Sequence, residues 1–410
     1  MCKEALDGGT VMDNHQVTEQ LLGYVYQIRY ALYHLLDQDD ERAQISVEKF
    51  DDIAVSYEGK IDTLVQLKHH VKTTGDLTDA SADLWRTIKV WIDVVNQDKN
   101  MIDTTHFLII TTAIAPEGTA AYYLKSDTDK RNVENAYIKL KEVAATSKNK
   151  AHKSYYQAFI KLGENGCHKL LKNITVIDKA SNILDVENGI KNKIKYCCLP
   201  QYKNMVFERL EGWWNKKIIQ ALCSEEPVFM TQFQVNSFLV ELGQQYAPDN
   251  LPINIEDFSD EELNNLGAED LLFYKQLKLI CLGNRSLQLA VRDYYRAFKQ
   301  RANWVRNDLL YVNELDNYER RLIDEWEHAF AEMEDDLSDY QDEITESIKV
   351  KNAKTLYKKI SEKDIRIRSK CSEPFVMRGS YHILANQLKV GWHIDFYERL
   401  KHLLTKGRQV

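Results

Sequence analysis

Residues 45–70 read ISVEKFDDIAVSYEGKIDTLVQLKHH, and this stretch decides how the first half of the chain is understood. Ile45–Val55 has the β-branched composition of a strand, Glu58-Gly59-Lys60 is a turn, and Leu64–His69 forms a second strand. The two strands therefore pair as a hairpin. Side chains alternate faces along a strand, so Gln66 and Lys68 point one way while Val65 and Leu67 enter the core. On the first strand simple alternation groups Glu48, Phe50 and Asp52 and leaves Asp51 opposite. A bulge would exchange the two aspartates.

Upstream, Leu21, Val25, Ile28, Leu32 and Leu35 recur at helical steps within Val17–Leu36. Gly23, Gln27, Tyr30 and His34 lie on a second face, where Gly23 would let the helix approach the sheet. Downstream, Asp83–Val95 is an amphipathic helix with Trp85 and Trp91, and His106–Ala115 is a strand buried on both faces. Asn173–Asp178 supplies one more strand in a region that is mostly helical from Asn132. The expected fold is an α/β N-terminal domain, a mixed central sheet flanked by helices, over residues 1–223. A mainly α-helical domain over residues 224–410 follows, divided from it where Ser-Glu-Glu-Pro breaks the pattern.

At 410 residues the chain exceeds one ordinary core, which agrees with two domains. Its seven scattered cysteines lack Cys-x-x-Cys spacing, so a zinc site or disulfide framework is not expected. No apolar run of about twenty residues, a membrane-spanning length, occurs, and a cytoplasmic protein is expected. The net charge of −8 is uneven. Residues 1–120 hold 10 Lys/Arg against 20 Asp/Glu, whereas residues 121–220 hold 19 against 10. A basic section beside an acidic one is read either as phosphate binding beside metal ligands or as a solvated lysine surface.

The chemistry concentrates in Asp51-Asp52 … Gln66-Leu67-Lys68, which matches the plan of PD-(D/E)xK nucleases in its glutamine variant. A carboxylate from Asp52 and an amide oxygen from Gln66 suit the all-oxygen shell of Mg²⁺ or Mn²⁺. Such an ion lowers the pKa of its water and offsets charge on a scissile phosphate. Lys68 would stabilise the transition state, Glu48 would complete the shell or bond the lysine, and Gln27 would bring another polar group to the metal. His69 and His70 are read as structural. The competing reading is an amphipathic hairpin with solvated charges.

Taken with Gly23-Tyr24-Val25-Tyr26-Gln27, Asp76-Leu77 and DLWRTIKVW, the motif resembles the nuclease domain of CD-NTase-associated double-stranded-DNA endonucleases over roughly residues 15–215. That resemblance implies a restriction-endonuclease-like fold and metal-dependent cleavage of duplex DNA. The C-terminal part is different. Asp249–Pro252 (DNLP), YYRAFKQRANW, LDNYERRLIDEW, Ile365–Arg368, Phe375–His382 and Val390-Gly391-Trp392-His393 resemble the C-terminal domain of ABC-three-component effectors. Ile394 stands where proline is expected. The combination resembles the effector subunits of Lamassu-type anti-phage and anti-plasmid systems. It implies an SMC-like ABC ATPase and a small middle subunit as partners, a homo-oligomer when active, and no membrane. Arg301, Arg306, Arg320 and Arg321 are expected either at subunit contacts or on solvated helix faces. Two alternatives remain open: a nuclease gated by a cyclic nucleotide, and a non-catalytic DNA-binding scaffold.

Overall fold

The computed structural model describes residues 14–48, 51–69, 75–127, 129–254, 267–340 and 343–404; Phe50 and His70 lie outside them. The chain divides into two compact units, Met1–Gly243 and Gln244–Val410.

In the first unit, α1 (Asn14–Leu36) precedes three antiparallel strands, β1 (Ala43–Val47), β2 (Ile53–Tyr57) and β3 (Lys60–Lys68). The β2–β3 connection is a two-residue loop. Glu58 and Gly59 both have positive φ, 50° and 81°, the primed turn whose twist matches a hairpin. What reads as one strand over Ile45–Val55 is two. Glu48 enters the left-handed region at φ 58°, and its N–H donates to the Asp52 carbonyl at 3.2 Å, closing a turn between β1 and β2. Glu48, Asp51 and Asp52 thus sit at strand ends, not along one strand. The ladder irregularity lies between Val55 and Ser56, away from the aspartates.

A parallel strand needs a crossover, and α2 (Ala82–Gln97) provides it to β4 (His106–Thr111). Leu84, Trp85, Ile88, Trp91, Ile92 and Val95 form the buried stripe of α2. After α3 (Val133–Thr146) and α4 (Lys153–Asn173) comes β5 (Ile174–Ile177), parallel to β4. Next are α5 (Ile183–Lys193), α6 (Lys203–Leu222), β6 (Met230–Thr231) and α7 (Gln232–Gln245). The sheet order is β5-β4-β3-β2-β1-β6. Its core on one side gathers Ala54, Leu64, Phe107 and Ile109 with α2 and α4, where Trp85 meets Tyr156 edge-on at 4.7 Å. On α1 the expected apolar stripe is only half used: Leu32 and Leu35 are buried, but Leu21 and Val25 are exposed.

The domain boundary falls later than residue 223. Met230 and Thr231 pair with β1, and Phe238 of α7 stacks on Trp213 of α6, so this segment completes the first unit.

The second unit is helical as expected, with α8 (Leu272–Leu279), α9 (Asn284–Arg306), α10 (Glu314–Ser338), α11 (Glu346–Ser361) and α12 (Pro374–Asn386). Its motifs serve packing. The Pro252 carbonyl accepts from Trp304 Nε1 at 2.8 Å and Gln300 Nε2 at 3.1 Å, and Trp326 Nε1 donates to the Gly391 carbonyl at 2.7 Å. Arg301 pairs with Glu319 inside the unit, Arg321 donates to the Ile367 carbonyl, and Arg320 bonds Asn317. Those three arginines have partners within their own chain. The turn after Trp392-His393 forms without proline: Asp395 N–H donates to His393 Nδ1 and Phe396 N–H to the His393 carbonyl.

Candidate active site

The carboxyl end of β3 meets the β1–β2 turn, and four charged side chains gather there. Asp52 Oδ2 accepts from Leu67 N–H at 2.7 Å. β3 runs on past the start of β2, and the Asp52 carboxylate takes the place of the missing ladder acceptor. Asp51 turns toward α2, where its Oδ2 accepts from Trp91 Nε1 at 2.5 Å while its Oδ1 accepts from Asp52 N–H at 3.0 Å.

Burial pushes the Asp51 carboxyl up to about 7, and the neighbouring Asp52 charge adds to this; the Trp91 hydrogen bond and Lys68 act against it. Glu48 is also raised, by burial first and then by Asp52, with Lys68 opposing. Lys68 therefore lies within electrostatic reach of both Glu48 and Asp51. It is half-buried at the end of β3, opposite Thr111 of β4, and forms no ion pair with a described residue. Gln66 is buried two residues earlier, at 6% exposure, beside Ile109.

Gln27 comes from α1. The Tyr26 ring on that helix stacks on His69 with centroids 4.5 Å apart, which sets α1 against the end of β3. Gln27 Oε1 is buried without a hydrogen-bond partner. Gly23 does not serve close approach, because a Cβ built there meets nothing within 4 Å. The structure thus brings Glu48, Asp51, Asp52 and Lys68 together, while Gln66 lies buried two residues before Lys68 on β3. Gln27 stands on the adjoining helix.

Sequence reasoning missed Trp91 as the group that anchors Asp51. Its only signal was a place on the buried stripe of α2. A second group was also missed. Among the described residues, Glu346, His393 and Asp395 bring ligand atoms within 4.8 Å of one another. Arg399 donates to both Glu346 oxygens at 2.8 Å and to Asp395 at 3.0 Å, and Lys349 donates to Asp395 at 2.9 Å. His393 Nδ1 accepts a backbone N–H, so in the neutral ring Nε2 carries the proton and faces Glu346 at 3.3 Å. This is an ion-pair cluster whose cations are already its own side chains.

Residues 273–400 match the family model for C-terminal domain 7 of the ABC-three component systems. The C-terminal resemblance read from the motifs is supported there. No curated protein matches the chain. Among solved structures, the Moraxella osloensis Cap4 SAVED/CARF-domain containing receptor aligns at 13% identity and TM-score 0.35, over 70% of this chain and 61% of that one. The Acinetobacter baumannii Cap4 receptor aligns at 15% identity and TM-score 0.30, over 69% and 60%. The chain spans about three fifths of these receptors' length. Overlap this loose leaves the site to be read from its own residues. Among the described residues, no helix is long and apolar enough to cross a membrane.

Proposed function

We propose that the first unit is a restriction-endonuclease-like, metal-dependent endonuclease acting on double-stranded DNA, and that the chain is the effector of an anti-phage or anti-plasmid complex. The observation that carries the first half is Lys68: an ammonium at the carboxyl end of β3 without an ion pair among described residues, within electrostatic reach of Glu48 and Asp51. A lysine with no acidic partner at close range can neutralise an incoming phosphate. The alternative of solvated charges predicts exposed, unperturbed carboxylates, yet Asp51 is pushed up to about 7.

The donor set fits a hard divalent cation. Asp52, Asp51 and Glu48 offer carboxylate oxygens, Gln66 an amide, and the unpartnered Gln27 Oε1 is an acceptor in want of a donor or ion. Magnesium or manganese held by Asp52 and Gln66, with Glu48, Asp51 or Gln27 as further ligands, supplies a more acidic water and charge neutralisation at the phosphate. The protein's own groups do the rest. Asp52 is oriented by Leu67 N–H, Asp51 is oriented by Trp91, and Lys68 stabilises charge that develops on the phosphate in the transition state.

The effector role draws on the C-terminal match to ABC-three component systems. An SMC-like ATPase and a small middle subunit are the proposed partners, with the second unit as the assembly module, and homo-oligomerisation as the state that cuts both strands. The test is to incubate purified protein with plasmid DNA, with Mg²⁺ or with EDTA, alone and with its neighbouring gene products. Linear or degraded plasmid with Mg²⁺ alone supports the reading. Intact plasmid in every arm contradicts it.

A further inference from the structure

Open sheets with parallel strands bind ligands beyond the strands' carboxyl ends. Here those ends belong to β3, β4 and β5, closing on Lys68, Thr111 and Ile177. The segment after β5 is locked to the same edge. Lys179 N–H donates to the Ala113 carbonyl at 3.0 Å, Ala180 N–H to the Thr111 carbonyl at 2.9 Å, and Thr112 N–H to the Lys68 carbonyl at 3.1 Å. Asp178 braces the arrangement from inside, with its side chain 6% exposed: it accepts from Ala115 N–H at 3.0 Å and pairs with Lys125 at 2.5 Å.

Lys179 is held at φ 54°, in the left-handed region that favours glycine. Its side chain is exposed, and Asp178 is engaged by Lys125, so the Lys179 ammonium has no ion pair among the described residues. A lysine kept where glycine would relieve backbone strain, without a partner inside the fold, is suited to a partner from outside. Two strand spacings separate the lines of Lys68 and Lys179, about 10 Å.

We propose that Lys179 is a second contact to a backbone phosphate of the duplex whose cleavage Lys68 assists. This rests on the nuclease reading and names a residue that grips its substrate. The experiment measures binding of full-length protein to a short DNA duplex in EDTA across a salt series, for the wild type, Lys179→Gly and Lys179→Arg, with a melting curve for each. Lys179→Gly lowers the slope of log affinity against log salt by about 0.9, the release expected for one phosphate contact, while Lys179→Arg keeps it. The Gly variant melts at or above the wild-type temperature.

An unchanged slope in the Gly variant overturns the proposal, and so does a Gly variant that melts below the wild type, which would make the side chain structural. Plasmid cleavage by the same proteins separates the two readings. An unchanged slope beside Mg²⁺-dependent cutting sinks only the Lys179 contact, whereas a wild type that neither binds duplex nor cuts it sinks both.

Discussion

Trp91 donates its indole N–H to the Asp51 carboxylate at 2.5 Å, tying the crossover helix α2 to the turn between β1 and β2. The bond joins a core residue to a site residue: Trp91 is fully buried against Phe107, with ring centroids 5.1 Å apart. Trp91→Phe keeps most of the apolar volume but leaves Asp51 without this donor. Above pH 7, where Asp51 is ionised, the expected result is a loss of about 1.5–3 kcal/mol in stability, the scale of a hydrogen bond to a charged group. Activity should fall more than folding does, measured as cleavage rate beside a denaturation curve. Equal cleavage by the two proteins would show that Asp51's orientation is immaterial.

Asp51→Asn tests the electrostatic account without removing the side chain. An acid whose folded pKa is raised holds a proton that the unfolded chain has already lost. Stability therefore falls as pH rises from about 4 to about 7 and then levels. The Asn variant should lack that slope and be more stable than the wild type at pH 7.5 without metal, on the order of 2 kcal/mol. Denaturant titrations at pH 5 and pH 7.5 decide it. A variant that is less stable at both pH values would contradict the picture.

His382 gives the second unit a pH dependence of the opposite sense. It is enclosed by the rings of Phe273, Tyr357 and Trp392, and burial pushes its pKa down to about 3. The unfolded chain takes up this proton below about 6.5 while the folded one does not, so stability drops as pH falls from there toward about 3. The full-length His382→Phe variant should show a shallower loss between pH 6.5 and pH 4.5, read on the second unit's unfolding transition. Identical slopes would assign the acid sensitivity elsewhere.

The unit boundary can be tested by truncation. A chain ending after Gln245 keeps β6 and the stacking of Phe238 on Trp213 and should fold cooperatively. One ending at Cys223 loses both, along with the buried Val235 and Leu239, and should melt at lower temperature or aggregate. Indistinguishable melting of the two would place the boundary where the sequence pattern first breaks.

Periodicity made α2 legible, because it buries a long stripe at helical spacing, while β4 and the four-residue β5 were legible from their β-branched, apolar composition. The Glu58-Gly59 turn was legible for a local reason: Gly59 takes its positive φ at no steric cost. The turn at Glu48–Asp52 was not legible, since Glu48 adopts a left-handed backbone that its residue type disfavours, and only tertiary closure through the Asp52 carbonyl shows it. Alternation groups Gln66 with Lys68, yet β3 is enclosed on both faces: Gln66 is buried like Leu64, Val65 and Leu67, so a core face and a polar face are not separated there. The separate roles of Asp51 and Asp52 were not legible, because they depend on Trp91, forty residues away in sequence, and on a β3 that outruns β2. The domain boundary was misread because β6 is only two residues long, too short to leave a pattern.

Cleavage of DNA by the Lys68 cluster with a divalent ion stands or falls on a comparison of three proteins. Supercoiled plasmid is incubated with Mg²⁺ and equal amounts of wild type, Lys68→Ala and Asp52→Ala, each shown to keep the wild-type circular dichroism spectrum, under the assembly conditions that activate the wild type. Nicked or linear DNA is expected with the wild type, and a rate at least about a hundredfold lower in both variants, the scale lost with one transition-state contact. Wild-type rates in both folded variants would contradict cleavage by this cluster.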